Sequence, residues 1–210
     1  MQLSERSLPT FLSELGAKVP VPGGGGGAAL AAALGAALGK MAAEYSKGKK
    51  AFAGQEKEQE ALLQTCSRLS REFLALVDVD AAQFAPLARA YALPSDTEQE
   101  QEEKARIIEE ATKGAAQAPR QLLALGLEGM QTVHRLLPLS TKMMLSDVGC
   151  AAALLLGGME AGWLNVLVNA AALQDRALAQ TWCEEGRSQL EEGRRLAREL
   201  LLVVEQRLKK

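Results

Sequence analysis

At 210 residues the chain is long enough for one sizeable core and short for two domains. Hydrophobic residues make up 48% of it but aromatics only 4%, so leucine and alanine must fill that core, which favours packed helices and argues against a sheet. A formal net charge of −2 excludes a general nucleic-acid binder, and three scattered cysteines with a single histidine fit neither a disulfide framework nor a metal site.

The first residues, MQLSERSLPTF, lack a basic region followed by an apolar stretch, so no signal peptide is expected. With the cysteine pattern this places the chain in the reducing cytoplasm. Leu3 to Ala17 reads as a short amphipathic helix with Leu8, Phe11, Leu12 and Leu15 on one side. Then comes PVPGGGGGAALAAALGAALGK, from Pro20 to Lys40. Pro20 and Pro22 hold the entry extended, and Gly23 to Gly27 read as a loop. The helix should begin near Ala28, since alanine is the best helix former. Such a start presents unpaired N–H groups to an anion or polar ligand, and reads equally as a loop capping a core helix. Gly35 and Gly39, four apart, leave one face flat enough for another backbone to come close. Lys47, Lys49 and Lys50 near the helix end are either dipole complements or ligand contacts.

Gln55 to Tyr91 carries apolar residues at three- and four-residue steps and predicts one long helix. Asp78 and Asp80 fall inside it, with Phe84 one turn beyond Asp80 on the same face. Asp96 to Glu103 is an acidic run that suits the start of a helix running through Ile107, Ile108 and Ala111; Pro119 kinks or restarts it and Pro138 ends the next segment. His134 reads as a structural or surface residue. From Ser146 and Asp147, possible caps, an apolar helix extends toward Leu173 and carries Asn165 and Asn169 one turn apart. That stretch is long enough to cross a bilayer, but Glu160 and the asparagines favour a buried central helix, so no membrane role is expected. Asp175 to Leu208 closes the chain as a charged-faced helix. The expectation is an all-α, single-domain bundle of six to eight helices over residues 1–210, with long apolar helices at its centre. Apolar helices with few aromatics leave more apolar surface than one bundle covers, so a homodimer or higher oligomer is expected, with the ligand site at or near the contact.

These segments resemble the cyclodeaminase family, comprising the C-terminal domain of formiminotransferase-cyclodeaminase and its free-standing bacterial relatives, the methenyltetrahydrofolate cyclohydrolases. The family's P-x-P-G-G-G-S and later G-[KR]-[KR] match Pro20, Pro22, Gly23, Gly24 and Gly25, then Gly48, Lys49 and Lys50. Its D-x-D-x-x-x-F matches Asp78, Asp80 and Phe84, and its A-[YF]-x-L-P matches Ala90 to Pro94. Its S-D-[VL] matches Ser146, Asp147 and Val148, and its N-V-L-[IV]-N with a following aspartate matches Asn165 to Asn169 and Asp175. The blocks keep the family's order and about its spacing across roughly residues 5 to 205. Two positions depart: Gly26 stands where serine is usual, and Thr141 where asparagine is frequent.

The resemblance implies a folate one-carbon enzyme that acts between N5 and N10 of tetrahydrofolate. It either closes the formimino form with loss of ammonia or hydrolyses the methenyl form. Neither reaction calls for a cofactor beyond the folate substrate. On this reading Asp147 and Asp80 are the catalytic carboxylates, and Gly23, Gly24 and Gly25 give backbone contacts. Phe84 packs on a ring, Asn165 and Asn169 line the pocket, and Lys49 and Lys50 meet the glutamate tail. All are expected to converge on one cleft, with the lysines at its mouth. The alternative is a non-catalytic helical folate-binding or assembly module that has kept the fold.

Overall fold

The computed structural model describes residues 2–209. Seven α-helices occupy most of it, and no strand occurs among the described residues. The helices are α1 (Leu8–Leu15), α2 (Gly24–Ser46), α3 (Glu56–Tyr91), α4 (Glu98–Ala115), α5 (Gln117–Leu136), α6 (Leu145–Ala172) and α7 (Arg176–Leu208). The expected all-α bundle is therefore the fold.

At the centre α2 and α6 lie side by side and antiparallel. A Cβ on Gly35 would come within 2.9 Å of the Ala151 carbonyl oxygen and the Leu155 nitrogen. One on Gly158 would come 3.0 Å from the Ala28 carbonyl oxygen. The two backbones thus touch where neither helix carries a side chain. Helix α3 packs along the other flank of α2, α7 along the other flank of α6, and α5 lies behind, against α3, α6 and α7. Phe73, Leu69, Leu122, Met130 and Leu155 fill the interior and are fully buried. Each such side chain contributes about 1.5–3 kcal/mol of transfer free energy.

Four local expectations are corrected. The first helix breaks at Arg6, between a 3₁₀ turn (Leu3–Glu5) and α1, because Ser7 caps Thr10 N–H. Leu8 and Leu12 are exposed, and only Phe11 is buried there. The glycines are no loop: Gly24 to Gly27 form the first turn of α2, with Gly23 as N-cap. Their poor propensity is overridden by tertiary contact. Ser146 and Asp147 sit inside the first turn of α6 and do not cap it. Pro119, in contrast, restarts the chain as read, in the first turn of α5, and Pro86 is accommodated inside α3.

The expectation that α6 is buried holds for only part of its surface. Its inner face is buried at Val148, Ala152, Leu155, Met159 and Val166, while Leu164 and Val168 stand 65% and 64% exposed. Glu160, the charge that marked this helix, reaches α7, where Arg194 donates to both of its carboxylate oxygens at 2.7 Å. Both α2 and α6 are long and apolar enough to cross a bilayer by length and composition. Here each has helices packed along its flanks.

Candidate active site

The N-terminus of α2, the middle of α3 and the C-terminal half of α6 enclose a cleft of about 190 Å³. It is lined by Pro20, Val21, Gly23, Gly24, Gly25, Asp80, Phe84, Ala115, Asn165, Val168 and Asn169. The antiparallel register explains the convergence. Gly24 opposes the Asn165 amide, 3.5 Å from where a Cβ would stand. On the other side, Asp80 of α3 lies over Gly25 so closely that a Cβ there would coincide with its carboxylate. Glycine is required at position 25 for this approach, not for backbone freedom.

Asp80 is the only ionisable side chain lining the cleft. Burial holds its carboxyl above the usual range, and the Gly26 N–H, which donates to it, partly offsets that effect. Desolvation disfavours the charged form, so this carboxyl is suited to exchanging a proton nearer neutrality than a surface aspartate. The remaining N–H groups of the first α2 turn supply a partial positive charge beneath it. Asn165 and Asn169 each spend one N–H on the carbonyl one turn back, of Ala161 and Asn165 respectively, at 2.9 and 2.8 Å. Their other polar atoms are available to the cleft. Phe84, one turn beyond Asp80, adds an aromatic wall.

Seven of the expected site residues are therefore brought together: Gly23, Gly24, Gly25, Asp80, Phe84, Asn165 and Asn169. Asp147, Lys49 and Lys50 do not line this cleft within one chain. Asp147 stands eighteen residues before Asn165 on the same helix, roughly 27 Å away at 1.5 Å per residue. It lies at the end of α6 where the Thr141 N–H meets the Ser46 hydroxyl at the foot of α2. Lys49 and Lys50 follow directly from that foot and are exposed. Chain order put these residues in one family pattern, but the antiparallel pairing of α2 with α6 sends them to the opposite end. The sequence reading missed Ala115 and Val168 as cleft walls. Only the spacing of Val168 within the Asn165–Asn169 turn could have signalled it.

Asp78, two residues before Asp80, has a different task. Its carboxylate accepts from the backbone N–H of Leu3, at 2.5 Å, and from the Ser4 hydroxyl. It thereby ties the N-terminal segment to α3. A side chain at position 26, unlike its N–H, would not face the cleft. A Cβ there would point at Pro22 and Val77, at 3.6 and 3.7 Å, in ordinary contact. Gly26→Ser is therefore expected to fold with an unchanged or slightly raised melting temperature and to leave ligand affinity within about twofold, since serine costs a helix less than glycine. Thermal melts and ligand titration check this; a loss of more than tenfold in affinity would show that the hydroxyl reaches the ligand.

Larger hollows lie elsewhere. One of about 300 Å³ is bordered by Arg120, Trp182 and Glu185, and another of about 480 Å³ by Glu128, His134 and Arg135. Their charged groups are already engaged: Arg120 pairs with Glu185 and lies over the Trp182 ring, and Glu128 pairs with Arg68.

Comparison with known proteins places the chain among folate one-carbon enzymes. The chain is 32% identical over 179 residues to a methenyltetrahydrofolate cyclohydrolase from Methylorubrum extorquens, covering 85% of this chain and 86% of that one. It is also 32% identical over 173 residues to the formimidoyltransferase-cyclodeaminase of Mus musculus, covering 82% of this chain but only 32% of that longer protein. The fold matches the crystal structure of a formiminotetrahydrofolate cyclodeaminase from Thermotoga maritima with a TM-score of 0.80, at 23% identity over 99% of this chain and 98% of that one. With the formiminotransferase-cyclodeaminase profile matching residues 7–188, the chain belongs to that family.

Proposed function

We propose that the protein is a folate one-carbon enzyme that hydrolyses the methenyl bridge between N5 and N10 of tetrahydrofolate. The observation that carries this is the single buried carboxylate, Asp80, held over the α2 N-terminus in a cleft walled by Phe84 and two amides. In this reading the water oxygen bonds to the cationic methenyl carbon as Asp80 takes one of its protons. The carbon–N5 bond then breaks, the added hydroxyl gives its proton to N5, and the formyl group remains on N10. Before attack, the Asp80 carboxylate also favours the cation electrostatically. Phe84 stacks on a ring of the folate, and Asn165 and Asn169 fix its orientation. The cyclohydrolase relative of nearly equal length supports hydrolysis in particular.

Cyclodeamination is the second reading, favoured by the equally identical mouse relative. There a protonated Asp80 would serve as the acid for the departing amine. One assay separates the two. Purified protein is expected to consume methenyltetrahydrofolate, followed by the loss of its absorbance, and to release no ammonia from formiminotetrahydrofolate. Ammonia release would assign the second reaction, and binding of a reduced folate without either turnover would assign a binding module. We further propose that the protein works as a homodimer in the reducing cytoplasm.

A further inference from the structure

Asp80 and Gly25 border two hollows. In front of them is the cleft. Behind them lies a second hollow, walled by Ala29 of α2, Leu76 of α3, Pro119 and Leu122 of α5, and Gly162 of α6. Every residue around it except Asp80 is buried, and it leaves no space that a water molecule could enter. Asp80 brings the only polar side chain to it. The carboxylate therefore stands in a partition, with the open cleft on one face and a dry apolar wall on the other.

Leu122 is held in this wall from two sides. It lies across the bare backbone of Gly162, where a Cβ would stand 2.5 Å from its Cδ2. The start of α5 that carries it is pinned to α3 within one turn of Asp80, because the Ala118 N–H donates to the Gln83 side-chain oxygen at 3.0 Å. Charges on the surrounding helices are engaged elsewhere. Asp78 accepts from Leu3 and Ser4, Arg120 pairs with Glu185, Lys113 with Glu110, and Glu160 with Arg194. The hydration of Asp80 thus depends on the two hollows alone. A ligand that fills the cleft removes the water in front, and the rear wall supplies none.

We propose that Leu122 is a positioning residue that plugs the rear of the active site, so that Asp80 exchanges its proton only with what occupies the cleft. This rests on the folate reading above for its effect on turnover, but the plug itself does not. A carboxylate with water at its back would be a weaker base toward the attacking water, and it could pass its proton to bulk solvent while the folate is bound. With the rear dry, the proton taken from that water stays on Asp80 until the product leaves, and then passes to solvent through the emptied cleft.

Leu122→Ala and the milder Leu122→Val open the rear hollow to water, whereas Leu122→Met keeps it filled. Water behind Asp80 favours its ionised form, so its titration should move to lower pH, by about one unit for alanine, less for valine and none for methionine. Two measurements read this. In folate-free protein, the Asp80 carboxyl resonance is followed by NMR titration and assigned by its absence in Asp80→Asn. In turnover, the limb of the kcat/KM profile that Asp80 controls should move down by the same amount, whichever of the two folate reactions is catalysed. Leu69→Ala opens a void in the core about three turns earlier in α3, so it should lower the melting temperature as well but leave both readings in place. No shift in Leu122→Ala, or in Leu122→Val if alanine does not fold, overturns the plug, as does an equal shift in Leu122→Met or Leu69→Ala. A resonance that shifts while the kcat/KM limb stays overturns its role in turnover. A wild type inactive on both folates instead overturns the folate reading, and the NMR titration still decides the plug.

Discussion

Asp80→Asn is expected to lower kcat by about 10²–10⁴-fold while changing folate affinity little, because it keeps the shape of the side chain and removes its ability to take or give a proton. The amide oxygen can still accept from the Gly26 N–H, so the α2 N-terminus should stay in place. The same change has an opposite effect on stability, with a definite pH dependence. Burial raises the Asp80 carboxyl above its unfolded value, so the folded protein holds this proton more tightly than the unfolded chain does. Its ionisation therefore costs nothing below the ordinary carboxyl range and the full amount above the raised value. Wild-type stability from this group falls as pH climbs through that window, and asparagine shows no such fall. Melting temperatures should accordingly be higher for Asp80→Asn than for wild type at pH 8 and should converge toward pH 3. A variant that loses activity and is also less stable at pH 8 would mean that the carboxylate is structural. Equal turnover in variant and wild type would remove it from the mechanism.

Gly35→Leu is the second change with a large expected effect, and it acts on the fold. The added Cβ would stand 2.9 Å from the Ala151 oxygen and the Leu155 nitrogen, both main-chain atoms in the middle of α6. No rotamer can relieve that contact, so the two central helices must separate along their length. Overpacking of this kind costs about 3 kcal/mol or more, which in a chain of this size lowers the melting temperature by about 6–12 °C. Gly114→Ala is the control. It also lies in a helix, α4, but a Cβ there meets nothing, so alanine should stabilise by up to about 1 kcal/mol. If the two variants melted alike, the close backbone seam would not exist in solution.

The seam shows how far the sequence could be read. Gly35 and Gly39 announced a flat helix face, and Asp80 with Phe84 announced a shared one; both are where the periodicity put them. The run from Gly23 to Gly27 misled because propensity speaks of isolated helices, whereas Gly25 is glycine to admit the Asp80 carboxylate and sits comfortably in a helical turn. Leu164 and Val168 misled for a related reason. A helix buried in its own bundle and one with an open apolar face have the same composition, so only the packing tells them apart. Asp147 shows the deepest limit. Its motif fixes its order along the chain, but whether α6 runs with or against α2 decides which end of the molecule it occupies.

The main-chain contact between α2 and α6 also bears on how the cleft accommodates a ligand. Helices that meet through interlocked side chains can slide or roll by exchanging rotamers, and that slack softens whatever site they share. Where Gly35 meets Ala151 and Gly158 meets Ala28, there are no rotamers to exchange. The ends of the two helices that carry Gly24 and Asn165 thus move as one body, and the spacing between these two walls is set during folding, before any ligand arrives. Adjustment falls to the parts mounted outside the seam: the Phe84 ring and the Pro20–Val21 entry to α2. The cleft works as a rigid jaw closed by a compliant one.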